Sequence, residues 1–312
     1  MSTNNPFTSN LTKLYYKSER RFGIEQVQAP WQQLRIRTEN LSRYTNNVVI
    51  SNLSTPRSPN GFRYSEDVPV GSFTSLLSEY DLEELFSGVM RNNWNTVQLN
   101  QGEADTSFSF LLMNQNTKGD KFYTLFTGCS LTTVGFVFQV NSYVTFNFSL
   151  IANKVEIDFK PNPSATYKDS SITGLFIGRD AEINLNGEKV GNLSNFSGSF
   201  GYDILMQKVI SLSNPFKKVV RGFACEGSIA GAFTDGSLVN QYIHETSFEI
   251  IVRLQYKKQV YEFIFPKTFV TELNYSSSGE GAIIQNTTIV SIYSPTKGST
   301  VILKKARKEN EL

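Results

Sequence analysis

The segment NSYVTFNFSLIA, residues 141–152, alternates between apolar and polar side chains, and no other feature of the chain restricts its fold as strongly. Because successive side chains of a strand point to opposite sides, a period of two separates them into two faces. The apolar face holds Val144, Phe146, Phe148 and Leu150, and the opposite face holds Tyr143, Thr145, Asn147 and Ser149. The pattern predicts a strand with one buried face and one face that meets water or a partner.

One strong amphipathic helix is predicted within Ser78–Trp94, SEYDLEELFSGVMRNNW. Its apolar residues recur at the spacing of a single helical face: Leu82, Leu85, Phe86, Val89 and Met90. Ser78 and Asp81 resemble a capping box in which Asp replaces the usual Glu. Glu83 and Glu84 fall on the polar side, where we expect a solvated face. We expect the apolar face to pack on a sheet.

Several further segments predict strands joined by turns. TSFSFLLM and KFYTLFTGC flank the turn NQNTKGD in the pattern of a hairpin, and Asn186-Gly187 predicts a two-residue hairpin turn. The prolines of Ser54–Gly61 indicate a loop, and those of Asp158–Ser171 indicate a boundary or a long connection. Short strands continue to about Leu303, and we expect the charged tail from Lys304 onwards to fray.

Two stretches of the chain follow similar patterns in the same order, which predicts an internal repeat. GSFTSLLSEYDLEELF from Gly71 matches GSIAGAFTDGSLVNQYI from Gly227 in outline. TSFSFLLMNQNTKGDKFYTLFTG from Thr106 matches TSFEIIVRLQYKKQVYEFIFP from Thr246. Chance similarity between β-hairpins is the alternative. The order of elements favours a strand-rich unit that carries one helix and occurs twice, the second helix being shorter.

These segments resemble the tail tube proteins of long-tailed, siphovirus-like bacteriophages, and in particular the longer, duplicated type. In the first half the resemblance rests on WQQLRIRTENLS, VGSFTSLLSEYDLEELFSGVMRNNW and TGCSLTTVGFVFQVNSYVTFNFSLIA. In the second half INLNGEKVGNLSNFSGSF, VRGFACEGSIAGAFTDGSL and TSFEIIVRLQYKKQVYEFIFP follow in the family's order. The resemblance extends from about residue 20 to residue 303, and the basic residues Lys304–Lys308 have no clear counterpart.

The resemblance implies a mainly β fold of two tandem units, each a β-sandwich or half-barrel with a flanking α-helix. We place the first domain, with an N-terminal arm, at residues 1–165, and the second, with the charged C-terminal tail, at residues 166–312. The resemblance also implies a structural subunit of the virion tail, assembled in the bacterial host cytoplasm. Such subunits polymerise as stacked rings into a hollow conduit for DNA delivery.

The partners that the resemblance implies are chiefly further copies of the chain. Single-unit members form six-fold rings, so two units in one chain predict homotrimeric rings with pseudo-six-fold symmetry, and six chains per ring are the alternative. The tape measure protein and genomic DNA would occupy the lumen transiently and without specificity, and tail terminator and tail tip proteins would bind the ends. The N-terminus lacks the features of a signal peptide and no segment is long enough to span a membrane, so we expect a cytosolic chain without a membrane partner.

Composition gives no sign of catalytic chemistry. Thirty Lys and Arg against 28 Asp and Glu leave a formal charge of +2, which is too little to bind polyanions by charge alone. His244 is the single histidine, no metal-binding spacing occurs, and glycine-rich nucleotide loops are absent from the sequence. We therefore expect no enzyme activity, no metal site and no cofactor, and we expect His244 to be a surface or hydrogen-bonded residue. Cys129 and Cys225 are expected to be reduced, buried thiols.

Two other functions fit the composition. One is a different β-rich phage structural protein, such as a minor tail or decoration protein, and the other is a carbohydrate-binding β-sandwich, which would explain the aromatic residues. In a tube, Ser, Thr, Asn, Gln and Glu should predominate at the lumen, because Lys or Arg there would hold phosphates. We expect this wall to be the polar face of long alternating strands, with Val144, Phe146 and Phe148 pointing into the core. Several strands alternate equally well, so the sequence does not select those at the wall.

Overall fold

The structure is a computed structural model that describes residues 6–50, 61–78, 82–170, 174–207, 217–234, 236–277 and 282–307. For residues 43–50, 61–68 and 307 this description covers the backbone alone. The first half contains strands β1 (Lys13–Ser18), β2 (Trp31–Leu34), β3 (Ile36–Ile50), β4 (Gly61–Leu76), β5 (Gln98–Asn100), β6 (Phe108–Gln115), β7 (Lys121–Gln139), β8 (Thr145–Ile151), β9 (Lys154–Ile157) and β10 (Tyr167–Lys168). The second half contains β11 (Ala181–Leu185), β12 (Glu188–Lys189), β13 (Leu193–Gln207), β14 (Lys217–Ala232), β15 (Phe248–Tyr256), β16 (Gln259–Ser276), β17 (Ile284–Ser291) and β18 (Ile302–Arg307). Helix α1 (Glu83–Met90) lies between β4 and β5, and α2 (Ser237–Ile243) lies between β14 and β15. The protein is mainly β, as predicted.

Eight long strands form one antiparallel sheet, which we call the central sheet. Its strand order is β3-β4-β8-β7-β13-β14-β17-β16. The first four strands come from the first half of the chain and the last four from the second half. Pairing between β7 and β13 therefore joins the two halves through backbone hydrogen bonds.

Two smaller sheets flank the central sheet. The first has the order β10-β2-β1-β6-β7-β9, in which β10 runs parallel to β2. The second has the order β12-β11-β15-β16-β18-β5, so that β5 of the first half completes a sheet of the second half. Strands β7 and β16 each take part in a flanking sheet and in the central sheet. Where they pair within the central sheet, their registers shift between Leu131 and Thr133 and between Val270 and Glu272. Such bulges bend a strand and let it change sheets, which curls the structure into a half-barrel.

The two halves make the same set of strand pairings. In the first half β4 pairs with β8, β8 with β7, β7 with β6 and β9, and β6 with β1. In the second half β14 pairs with β17, β17 with β16, β16 with β15 and β18, and β15 with β11. Each half places its helix between the long hairpin and the strand that follows it.

The core lies between the central sheet and the flanking sheets, and much of it is aromatic. Val144, Phe146 and Phe148 are fully buried, which confirms the face predicted from their alternation. The ring of Phe146 lies 5.4 Å from that of Phe263 in β16, so the central strands of the first half pack on a flanking strand of the second. The Phe86 ring of α1 lies 5.1 Å from Phe146 and 5.9 Å from Phe263. The helix is therefore packed on sheets, as predicted.

Helix α1 is shorter than its predicted range. It ends at Met90, because Arg91 adopts the left-handed conformation (φ 50°) and its N–H bonds to the carbonyl of Ser87. Leu82 takes the N-cap position, and Asp81 of the expected capping box lies outside the described residues. Trp94 follows the helix, and its indole N–H donates to the carbonyl of Glu83 at 2.9 Å.

The predicted turns are confirmed where the structure describes them. Strands β6 and β7 form the expected hairpin, and Asn116 closes its turn by accepting the backbone N–H groups of Lys118 and Asp120. Asn186 and Gly187 both have positive φ, which two-residue hairpin turns of type I′ require. Of the loop predicted at Ser54–Gly61, residues 54–60 lie outside the described part.

The prediction of a frayed tail is wrong for Lys304 to Arg307. These residues belong to β18, which pairs with β16 on one side and with β5 on the other. Pairing with β16 along all four residues, and with β5 at Lys304, satisfies backbone groups and outweighs the local preference of a charged segment for solvent. Lys308 lies outside the described residues.

Candidate functional site

The candidate site is the face of the central sheet that points away from the core. Directly opposed residues of antiparallel strands share a face, so the strand registers trace rows of side chains across the sheet. One row crosses all eight strands through Thr38, Thr74, Asn147, Gly135, Ser199, Glu226, Val290 and Phe269. The next row holds Leu76, Thr145, Val137, Ser197, Ser228, Thr288 and Glu272.

Two further rows complete this surface, which we call the polar face. One holds Asn40, Ser72, Ser149, Thr133, Gly201 and Ala224, and the other holds Gln139, Asn195, Ala230, Asn286 and Asn274. Ser, Thr and Asn are the commonest residues of the four rows. No residue in these rows is Lys or Arg, and the charged members are Glu226 and Glu272.

Side chains on the polar face bond to one another. Asn147 donates its amide N–H to the Thr74 hydroxyl at 2.9 Å, across neighbouring strands. The Glu272 carboxylate accepts from the Asn274 amide at 3.0 Å and from the Thr288 hydroxyl at 3.4 Å. Donors used in this way are less available to an anion that lies on the surface. The polar face can therefore contact a polyanion without holding it.

Positive charge lies at the end of this sheet rather than in the four rows. Residues 201–207 of β13 pair with residues 217–223 of β14, and we call this paired segment the β13–β14 arm. On this arm Arg221 forms an ion pair with Asp203 at 2.9 Å. Lys218 is buried and pairs with Asp105 at 2.5 Å, and it also donates to the carbonyl of Thr106. Burial lowers the pKa of Lys218, and the Asp105 carboxylate opposes this by favouring the charged form.

The opposite face of the same strands closes the core. Its rows include Phe73, Phe148, Val134, Phe200 and Cys225. Gly198 and Gly227 oppose each other in the next row, and the Phe136 side chain occupies the space above Gly198. The central sheet therefore presents one polar face and one apolar face, which is the division predicted from the segment around Phe148.

The central sheet has two open edges. Within the described residues, β3 pairs with β4 alone, and residues 269–276 of β16 pair with β17 alone. An unpaired strand edge exposes backbone N–H and C=O groups that can join another strand. Each edge is therefore able to receive a strand from another molecule.

The residues singled out in the sequence occupy separate places. Cys129 and Cys225 are free and buried, as predicted, and burial raises the pKa of the Cys225 thiol to about 12. His244 is exposed at the C-cap of α2, also as predicted. Glu84 is exposed, but the expectation of a solvated face is wrong for Glu83, whose carboxylate pairs with Lys305 of β18. None of these residues belongs to the polar face.

Sequence reasoning found the polar face of β8 and missed its continuation across β13, β14 and β17. The signal was present in NFSGSF, where Asn195, Ser197 and Ser199 alternate with Phe196, Gly198 and Phe200. Only the pairing of β13 with β7 places these residues beside Val137 and Gly135.

Within the described residues, no group of three or more His, Cys, Asp or Glu side chains is arranged to hold a metal ion. The same part of the chain has no helix with the length and apolar character that a membrane crossing requires.

Comparison with known proteins gives one match over most of the chain. A family model described as phage tail tube protein matches residues 9–289. No curated protein sequence gives a significant match to the chain.

Proposed function

The chain belongs to the phage tail tube protein family, and from that premise we propose that three copies close into a ring and that the rings stack into a conduit for DNA. Membership of the family makes the protein a component of the virion tail that assembles with copies of itself into a tube. The ring stoichiometry, the lining of the lumen and the passage of DNA are the proposal.

The observation that carries the proposal is that the central sheet has two open edges, one polar face and one apolar face. Pairing of β16 in one copy with β3 in the next would satisfy both edges and continue the sheet around a ring. With strands about 4.8 Å apart and tilted by about 40°, twenty-four strands from three copies make a barrel about 50 Å across. Six copies would make one about 100 Å across, which is far wider than a DNA duplex needs.

The repeated pairings support an origin by tandem duplication. Each half supplies four strands to the central sheet and one helix, so each could occupy one position of a six-fold ring. The junction of β7 with β13 would then correspond, between copies, to a junction of β16 with β3. We place the boundary between the two units near residue 165, in the connection that leads to β10.

We propose that the polar face lines the lumen and that the role is structural rather than enzymatic. Each phosphate neutralised by Lys or Arg adds salt-dependent affinity, and such contacts repeated over many rings would stall a moving polymer. The four rows of the polar face carry two carboxylates and no cation, which suits a wall along which DNA slides. The tape measure protein would occupy the lumen before DNA does, and terminator and tip proteins would cover the exposed ring surfaces at the two ends.

Cryo-electron microscopy of the purified, concentrated protein tests the proposal. We expect hollow tubes or rings with three full-length chains in each ring and with Ser199, Thr288 and Glu226 facing the lumen. Six chains per ring would refute the stoichiometry alone. A protein that remains monomeric at every concentration, or a tube whose lumen is formed by another face, would contradict the assignment of the conduit.

A further inference from the structure

The two helices differ sharply in burial, although they occupy the same place in the two sets of strand pairings. Helix α1 buries Leu85, Phe86, Val89 and Met90. Helix α2 has no buried residue. When the helices are aligned at their last residues, Met90 is fully buried where Ile243 is 64% exposed, and Val89 is fully buried where Tyr242 is 45% exposed. Helix α2 therefore has an apolar end without a cover in the described part of the chain.

The cover of α1 comes from the second half of the chain. The β13–β14 arm lies over the segment that follows the helix, where the Tyr202 hydroxyl donates to the carbonyl of Gly102 at 2.7 Å and Lys218 pairs with Asp105. The first turn of the helix meets the flanking sheet, where Phe263 contacts Phe86. A helix of one unit is thus enclosed by the arm and the flanking sheet of the unit that follows it.

Among the residues that the structure describes, no second arm encloses α2 as the β13–β14 arm encloses α1. The counterpart of the β13–β14 arm is the long hairpin β3–β4, which lies at the opposite edge of the central sheet. Between α2, the β11–β12 hairpin and the central sheet there is instead a cavity of about 570 Å³, whose lining includes Leu238, Gln241, Val190, Ile229, Gln285 and Thr287. The space that aromatic side chains fill around α1 is open around α2.

The central strand near α2 is also more polar than its counterpart near α1. Phe146 and Phe148 of β8 pair with Ser75 and Phe73, and the corresponding positions of β17, Gln285 and Thr287, pair with Gly231 and Ile229. Gln285 and Thr287 are buried in the single chain, but they bring less apolar bulk than two phenylalanines to the region beside α2.

We infer that α2 is a docking site for a second copy of this chain, and that the occupant is the β3–β4 hairpin together with the β7–β9 end of the first flanking sheet. This surface is the counterpart of the one that encloses α1, because β7 and β9 correspond to β16 and β18. It also presents apolar side chains to solvent in the single chain: Ile157 is 50% exposed, and Phe7, 52% exposed, lies against Phe122. The inference rests on the proposed ring, and it assigns α2 to the contact between neighbouring chains.

The first test compares equivalent substitutions in the two helices. Ile243→Asp should leave far-UV circular dichroism and the melting temperature nearly unchanged while abolishing rings and tubes, because the side chain is 64% exposed in the single chain. Met90→Asp should yield insoluble or unfolded protein, because its position is buried within one chain. Val97→Asp, at another exposed apolar residue (51%), is the matched control and should assemble as the wild type does. Normal tubes from Ile243→Asp would overturn the inference.

The second test identifies the occupant by complementation. A hairpin-shortened variant has residues 46–66 replaced by Asn-Gly, a sequence that favours a two-residue hairpin turn, and so lacks the outer part of β3 and β4. Alone, this variant and Ile243→Asp should each remain monomers by light scattering, and the full-length Ile243→Asp monomer has a mass of about 35 kDa. Mixed, they should form a one-to-one dimer, because one retains an intact α2 and the other an intact hairpin. Absence of this dimer, with each variant folded, would overturn the choice of occupant.

These outcomes separate the inference from the function on which it rests. If the wild-type chain forms no rings under any condition, the proposed function fails. If the wild type forms tubes and Ile243→Asp forms them equally well, the ring stands and the role of α2 in it is refuted.

Discussion

Lys305 in β18 forms an ion pair with Glu83 in the first turn of α1, joining positions 222 residues apart in the sequence. The same ammonium group lies 4.6 Å from the centre of the Trp94 ring, and the Tyr261 hydroxyl donates to the Glu83 carboxylate at 3.4 Å. The charged tail thus anchors the first helix to the second flanking sheet, which is a role that its composition did not indicate.

Lys305→Met should lower the free energy of unfolding by about 1–2 kcal/mol, because it leaves the Glu83 carboxylate half-buried without its cation. Urea titration followed by tryptophan fluorescence measures the change. Lys304→Met is the matched control and should have an effect below about 0.5 kcal/mol, since it removes a neighbouring charge outside this cluster. A double-mutant cycle with Glu83→Gln should show coupling, and strictly additive effects would contradict the pairing.

Gly198→Ala should destabilise the fold by about 1–3 kcal/mol. A Cβ at this position would lie 2.4 Å from the carbonyl oxygen of Glu226 and 2.8 Å from the Phe136 ring, and the backbone oxygen cannot move away freely. Gly222→Ala in β14 is the control, since nothing lies within 4 Å of its added Cβ. Thermal unfolding measures the melting temperatures of both variants. Equal melting temperatures would show that the strands can move apart at Gly198 without a loss of stability.

Lysines on the polar face should make tubes retain DNA. Ser199→Lys and Thr288→Lys each add one cation in every chain, and repetition along a tube multiplies the phosphate contacts. We expect co-sedimentation of duplex DNA at low salt that weakens steeply as salt rises, whereas wild-type tubes should retain little DNA. Ser164→Lys, at an exposed position in the connection that leads to β10 and outside the polar face, controls for the added charge. Equal retention by both kinds of tube would place the DNA on another surface.

The stability of the fold at alkaline pH should depend on the ionisation of Tyr15 in β1. Burial, with a smaller contribution from the Asp169 carboxylate, raises the pKa of Tyr15 to about 12. The unfolded chain therefore loses this proton near pH 10 while the folded chain keeps it, so stability is fully present below pH 10 and falls as pH rises towards 12. The resulting decrease in the free energy of unfolding approaches about 2–3 kcal/mol near pH 12. Tyr15→Phe should reduce it, as measured by urea titrations at pH 9 and pH 11, and an identical decline in both proteins would exclude Tyr15 as the cause.

Local features of the fold could be predicted because nearby residues determine them. The buried face of β8 follows from its alternation, the stripe of α1 from its spacing, and the turn at Asn186-Gly187 from the positive φ angles that these residues tolerate. The bounds of α1 were less predictable, since its end depends on the left-handed conformation of Arg91.

Long-range pairing could not be predicted in the same way. Several segments alternate equally well, so nothing local indicates that β7 pairs with β13 or that β5 completes a sheet with β18. Register between distant strands is fixed by the packing of the faces they bury. For the same reason the polar character of the candidate site could be predicted from the sequence, whereas the identity of the strands that form it could not. Glu83 likewise looked solvated because its partner, Lys305, lies at the other end of the chain.

The pairing of β7 with β13 has a consequence for the kinetics of assembly. This junction forms within one molecule, so its strands meet at a high effective concentration and its formation does not depend on dilution. The proposed junction of β16 with β3 is bimolecular and depends on the supply of free chains. Damage to the first junction therefore appears as a folding defect at every protein concentration, whereas damage to the second appears as a raised critical concentration for growth.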